Sequence, residues 1–408
     1  MKKTTEAYSY VTNKNVSSTT HEDSAYFSAE KIGKVWRFQQ THKKYTNTPL
    51  YSLRHLANYL GVKDIKVKDE STRFGLNAFK VMGGIYAVAK YLAELLDKDV
   101  DNLSFEELQS AETRNALGDI TFITATDGNH GRGLAWAARE LGQEAAIYMP
   151  KGSQPSRLEA IQNEGAFAEI TELNYDATVR MAARLAKEND WVMVQDTAWE
   201  GYEKIPLWIM QGYASIAHEI VQEMDKTDDP APTHVFLQAG VGSFAAGIAS
   251  YLKQHYQGQA PKIIVVEPDK AECYYRSFLN THNEMEIVEG EMDTIMAGLA
   301  CGEPSSIAFR LLSHYAAASY SCGDSIAALG MRILGNPLQG DPRIISGESG
   351  AVPLGLLYRL RTKERDKTCE AINLDQNARV LIISTEGDTD QQHYRNIVWN
   401  GCFPNECI

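Results

Sequence analysis

Apolar and polar residues alternate through DIKVKDES (64–71), and a side-chain period of two predicts a strand there. The period then changes. In LNAFKVMGGIYAVAKYLAELL, Phe79, Met82, Tyr86 and Ala89 or Lys90 recur at helical spacing, so Lys80 falls near a helix amino end. From 119 to 196, strand-like DITFITAT, EAAIYMP, AFAEIT and WVMVQD are separated by helix-like RGLAWAARELG, PSRLEAIQNEG and DATVRMAARLAKE. Strands separated by single helices predict parallel βαβ units in a compact α/β subdomain. A second α/β region starts at THVFLQ, passes through AGVGSFAAG into a helix and continues with KIIVVEP; ISGESGAVPLG and ARVLIISTEGDTD repeat the arrangement. Two lobes with loops converging between them are the simplest architecture. Ligands of such sheets bind beyond the strands' carboxyl ends, where TDGNHG and QDTAWEGY both lie.

Length and composition narrow the class. At 408 residues, with 44% hydrophobic and 23% charged, the chain is globular and long enough for two to three domain-sized units. Its 53 acidic against 40 basic residues give a net charge of −13, which disfavours nucleic acid and anionic membrane as partners. No apolar stretch reaches spanning length and MKKTTEAYSYVTNKNVSSTT lacks a signal-like apolar core, so a cytoplasmic protein is expected. Six cysteines without a Cys-x-x-Cys pair or zinc-ligand spacing point to reduced thiols and no metal; only Cys273 and Cys301 are left open as a pair.

Three stretches carry chemistry. TATDGNHGRG ends a strand with an acid, an amide and an imidazole around glycines, and reads either as a surface turn or as a ligand loop. FLQAGVGSFAAG reads strand, glycine loop, helix. That suits a phosphate cradle or a packing loop, and GVGSFA with Glu267 also fits a dinucleotide site, hence an NAD-dependent dehydrogenase. Lys80 is either a solvated helix lysine or, beside MGG and against Phe79, a buried amine suited to Schiff-base chemistry.

The ordered set TPLYSL, VKDES, NAFK, DGNHG, AGVGS, SGESGA and STEGD resembles the fold type II family of pyridoxal-phosphate enzymes over about residues 45 to 392. FGLNAFK, TDGNHGRG, QDTAWEGY and STEGDTD are similar to the members that release ammonia from 2,3-diaminopropionate. The resemblance implies two α/β domains, each a mostly parallel twisted sheet flanked by helices, with the active site between them. Residues 30–88 plus 208–408 would form the large cofactor-binding domain, and 89–207 a small domain carrying the Asn129 loop. It also implies a homodimer. Lys80 would join pyridoxal 5′-phosphate covalently beside Phe79, while Gly240, Val241, Gly242, Ser243 and Phe244 cradle its phosphate. Asn129 would meet its phenolic oxygen, and Ser384 or Thr385 the pyridine nitrogen, with Glu348 either near the ring or capping a helix. Thr126, Asp127, Gly128, His130 and Asp196 would face the substrate, although His130 also reads as a packing residue and Asp196 as a cap.

This sequence departs from the family pattern at Asp127, where relatives carry serine, at Ala78, again a serine in relatives, and at Glu386, among usually small residues. The reaction implied is α,β-elimination of D- and L-2,3-diaminopropionate to pyruvate and two ammonia, with Lys80 as base on one face and Asp127 on the other. Dehydration of serine or threonine on the same fold, or cofactor binding without turnover, are the alternatives. The outer partner expected for Arg132 follows from a cation misplaced at a helix start, and Trp199 with Tyr202 read as pocket wall or as core.

Overall fold

The computed structural model describes residues 7–17, 21–126, 128–282, 284–362 and 367–404. In chain order its strands are β1 (Tyr8–Thr12), β2 (Leu50–Ser52), β3 (Asp64–Asp69), β4 (Thr121–Ala125), β5 (Glu144–Met149), β6 (Phe167–Ile170), β7 (Val192–Met193), β8 (His234–Gln238), β9 (Lys262–Pro268), β10 (Ala316–Cys322) and β11 (Arg379–Ser384). They form a seven-stranded sheet ordered β1-β10-β9-β8-β11-β3-β2 and a four-stranded sheet ordered β6-β5-β4-β7. The small sheet is parallel throughout. The large one is parallel from β10 to β3, with β1 and β2 antiparallel at its edges.

The central strands are apolar on both faces because helices cover both. Val235, Leu237, Leu381 and Ile383 join a core with Met210, Ala214 and Ile248, whereas Phe236, Val380 and Ile382 join Ile326, Met331 and Leu354 on the other side. Each such Val, Leu, Ile, Met or Phe side chain contributes about 1.5–3 kcal/mol relative to exposure. The first of these layers centres on helix Lys204–Lys226, which runs between helices Val81–Leu95 and Ser243–Tyr256. Crossing is close enough that a Cβ on Gly212 would lie 2.3 Å from the Met82 carbonyl oxygen. Likewise a Cβ on Gly133 would lie 2.9 Å from the Val81 nitrogen, so helix Asn129–Glu140 sits directly on the start of the Lys80 helix.

The segment leading to Lys80 is anchored by buried charge. Lys68 Nζ lies 2.6 Å from Glu219 Oε1, and Arg73 Nη2 lies 2.8 Å from Glu70 Oε1 and 3.2 Å from Glu219 Oε2. Two cations face two anions with almost no exposure, and Thr48 and Tyr45 hydroxyls complete their hydrogen bonds. Beyond this anchor the chain turns through left-handed conformations at Phe74, Gly75 and Asn77 before entering the helix.

Several elements differ from the sequence expectation. WVMVQD is a strand only over Val192–Met193, because the chain then bends and delivers Asp196 inward. Strand β1 forms within the polar leader, and β10 (AAASYSC) has too little apolar contrast to stand out. Cys273, Cys301, Cys322, Cys369 and Cys402 are free thiols, so the pair left open is not a disulfide. Among the described residues no helix is long and apolar enough to cross a membrane.

Candidate active site

The carboxyl ends of β4, β8 and β11 open onto one cavity, whose lining includes Phe79, Lys80, Thr126, Asn129, His130, Asp196, Gly240, Val241, Gly242, Ser243, Phe244, Thr385 and Glu386. Segments from both sheets therefore meet there. Lys80 caps the amino end of its helix, and its Nζ lies 2.8 Å from Asp196 Oδ2. Burial alone would raise the Asp196 carboxyl; Lys80 beside it, with His130, outweighs that and brings it down to about 2. His130 binds the Val194 carbonyl through Nε2 at 2.8 Å, while its Nδ1 stands 3.9 Å from Asp196. That bond fixes the ring's orientation, so His130 both packs and lines the cavity. Asp127 lies outside the described residues.

The glycine loop ends β8 and starts helix Ser243–Tyr256. Gly242 has φ +90°, and a Cβ there would fall 2.0 Å from the Tyr274 hydroxyl, which donates to the Val241 carbonyl at 3.0 Å. Only glycine permits this turn, which leaves backbone N–H groups at the start of a 14-residue helix facing the cavity, a ready anion site. The Ser243 hydroxyl donates to the Asp196 carbonyl oxygen at 2.6 Å, tying the loop to the segment bearing that acid. Phe79 packs on Phe244 and Tyr213, with ring centroids 4.6 and 4.8 Å away.

At the end of β11 the two hydroxyls separate. Ser384 turns from the cavity and donates to Ser346 Oγ at 2.8 Å, whereas Thr385 lines it. Thr385 Oγ1 accepts from Gln238 Nε2 at 2.8 Å, which leaves its own proton for an acceptor in the cavity. Glu348 begins helix Glu348–Thr362 and stands behind the cavity wall, 3.5 Å from His393. Burial, then the neighbouring Glu386 carboxylate, push its carboxyl up to about 7. Asn129 donates through Nδ2 to Glu386 Oε2 at 2.6 Å. Thr126 Oγ1 accepts from the Gly128 and Gly131 nitrogens, so this hydroxyl shapes the loop. Gly128, with φ +152°, backs onto Arg157 and lies outside the cavity lining.

Glu267 overturns the dinucleotide reading. It is fully buried and accepts from the Tyr274 and Tyr275 nitrogens and the Ser319 hydroxyl, leaving nothing to offer a ribose. Trp199 and Tyr202 stack on each other at 4.4 Å, and the Tyr202 hydroxyl bonds backbone at Met193 and Gln195, so the core reading holds for Tyr202. Arg132 has the expected outer partners, Glu164 and the Leu76 carbonyl. Sequence reasoning missed Gln238, Tyr213, Tyr175 and Ser349 in the lining. Of these only Gln238, a polar residue closing an apolar strand before glycines, left a signal.

A primary amine, an amide-lined anion cradle, a hydroxyl with a free proton and an asparagine amide around one largely apolar-walled cavity fit pyridoxal 5′-phosphate. Comparisons with known proteins agree. The model of the family described as pyridoxal-phosphate dependent enzyme matches residues 42–385. The chain is 53% identical to diaminopropionate ammonia-lyase of Escherichia coli (strain K12) over 382 residues, covering 93% of this chain and 94% of that one. A crystal structure of diaminopropionate ammonia lyase from Escherichia coli in complex with D-serine matches with a TM-score of 0.90 at 50% identity, over 97% of this chain and 98% of that chain. A second, in complex with the aminoacrylate-PLP azomethine reaction intermediate, matches at 0.89 and 49% identity, with 97% and 98% covered. The chain belongs to the pyridoxal-phosphate dependent enzyme family, and its two sheets have the fold type II arrangement.

Proposed function

We propose that this protein eliminates ammonia from 2,3-diaminopropionate, of both D and L configuration, using pyridoxal 5′-phosphate, and that the released 2-aminoacrylate hydrolyses to pyruvate and a second ammonia. The observation that carries the reading is the buried Asp196 carboxylate 2.8 Å from Lys80 Nζ. When the lysine is committed to the cofactor, Asp196 is the anion available to a substrate with an extra ammonium. A plain monoamine offers it nothing, so the acid selects by charge.

The cofactor, when bound, supplies an electron-accepting ring that acidifies the α-proton of the amino acid joined to it. Lys80 would hold it covalently; the glycine loop from Gly240 to Phe244 would take its phosphate, and Phe79 would flank the ring. Thr385 would donate to the pyridine nitrogen and, being neutral, would not protonate it, while Asn129 would donate to the phenolic oxygen. Thr126, Gly128 and His130 shape the loop at the substrate's carboxylate. Lys80 Nζ takes the α-proton of the L substrate on its own face. For the D substrate the proton points the other way, and Asp127 is our base there. Asp196 keeps the β-amino group as an ammonium, so the Cβ–N bond breaks with its electron pair going to nitrogen and neutral ammonia leaves.

We read residues 30–88 with 208–408 as the large domain and 89–207 as the small one, working as a homodimer in the cytoplasm; the acidic charge balance and the family resemblance support this. The test is ammonia and pyruvate release from D- and L-diaminopropionate, D- and L-serine and L-threonine. Turnover of the diamine well above the hydroxy amino acids is expected, and preference for serine or threonine would sink the reading.

A further inference from the structure

Glu386 sits where four segments cross, 3% exposed and close to the ring site. Its Oε2 accepts from Asn129 Nδ2 at 2.6 Å, and its Oε1 accepts from the Ser349 backbone nitrogen at 3.2 Å. Its own backbone pairs with Ala78, two residues before Lys80, and its carbonyl accepts from the Gly347 nitrogen at 3.0 Å. Oε1 thus accepts at the first turn of helix Glu348–Thr362, where negative charge is favoured, while Oε2 accepts from the Asn129 side chain. The bond to Asn129 has the length of a charge-assisted hydrogen bond.

An asparagine amide is a donor at one end and an acceptor at the other, and a terminal amide can present either end to a neighbour. A carboxylate only accepts, so it pins the nitrogen end. Nδ2 carries two protons; Glu386 takes one and leaves the other. An amide held in this way can only donate to an oxygen anion on its far side.

We propose that Glu386 is a positioning residue for the cofactor: it orients the Asn129 amide as a donor to the phenolic oxygen and sets a negative charge behind that hydrogen bond. The inference rests on the cofactor contact assigned to Asn129 above and goes beyond it in naming what orients that contact. A carboxylate so placed favours the protonated, long-wavelength form of the Lys80-linked cofactor.

The test compares holoenzyme with Glu386→Gln, Glu386→Ala and Asn129→Ala, reading visible absorbance against pH, cofactor dissociation constant and melting temperature. Glutamine can still accept from Asn129 through its oxygen. It is expected to keep cofactor affinity but to lower the protonated fraction at each pH, equivalent to a midpoint about one unit lower. Alanine is expected to give that shift and also to weaken cofactor binding about tenfold. In Asn129→Ala, adding Glu386→Ala should cost no further affinity, because the two residues act as one unit. An unchanged protonated fraction in Glu386→Gln overturns the inference. So does a lowered melting temperature with spectrum and affinity unchanged, which would make Glu386 a brace of the fold. These readouts do not involve the diamine, so a holoenzyme that binds cofactor but fails to release ammonia from it would sink the proposed reaction and leave this result standing.

Discussion

Asp196 and Lys80 form a buried pair, and losing one member of such a pair leaves the other charge uncompensated. Asp196→Asn is expected to lower kcat/KM for diaminopropionate roughly a hundredfold or more, with a smaller effect on any residual serine turnover; steady-state ammonia release with both substrates checks this. In the cofactor-free chain, where Lys80 is unattached, the folded-state carboxyl, at about 2, lies below its ordinary value, so the pair contributes stability that is complete at neutral pH and is lost as pH falls toward 2. Glu348 has the opposite sign. Its carboxyl is held up at about 7, so its contribution is present in acid and is lost as pH rises through that value. Glu348→Gln should therefore melt a few degrees above the parent protein above pH ~7, with the difference shrinking in acid, as measured by thermal melts across pH. The two hydroxyls at the end of β11 are expected to differ likewise. Thr385→Val should weaken cofactor binding about tenfold, the worth of one hydrogen bond, whereas Ser384→Ala should leave it nearly unchanged; equilibrium dialysis decides.

At the scale of elements, the approach to Lys80 depends on the charge network more than on local propensity. Three residues in left-handed conformation, Phe74, Gly75 and Asn77, follow directly on the network of Arg73, Glu70, Lys68 and Glu219, the last of which belongs to a distant helix. Replacing Glu219 with alanine leaves two buried cations against one buried anion, Glu70, with only the half-exposed Glu223 3.7 Å from Lys68 beside them, and is expected to cost about 3 kcal/mol, seen as a lower urea midpoint. Elements of this kind bound what the sequence makes legible. Lys80, Asn129 and the 240–244 loop could be picked out as cavity positions because each stands in a short contiguous motif, NAFK, DGNHG and AGVGS, that resembles the family's. Tyr213 and Ser349 could not, since only tertiary packing brings them to the cavity. The choice between Ser384 and Thr385 was equally hidden. Successive residues of an extended chain face opposite ways, and it is Ser346, 38 positions away, that receives the one turned inward.

Across the whole molecule, the pattern of alternating strands and helices was legible because parallel strands covered on both faces are continuous apolar runs. The sheet's edges were not, since edge strands are short and half polar. Strand β1 shows what such an edge is for. It pairs antiparallel with β10 from Tyr8 opposite Cys322 to Thr12 opposite Ala318, and Asn13 closes the end by donating to the Ser313 and Ala316 carbonyls. Without that ribbon, β10 would present a row of open backbone groups over a small-residue segment with little charge, a template for the same strand of another molecule. Deleting residues 1–13 is therefore expected to leave the candidate active-site cavity assembled yet make the protein self-associate, with light scattering rising with concentration while helix and strand content by circular dichroism stay near those of the full chain. A segment remote from the chemistry thus governs how concentrated the enzyme can become before it precipitates.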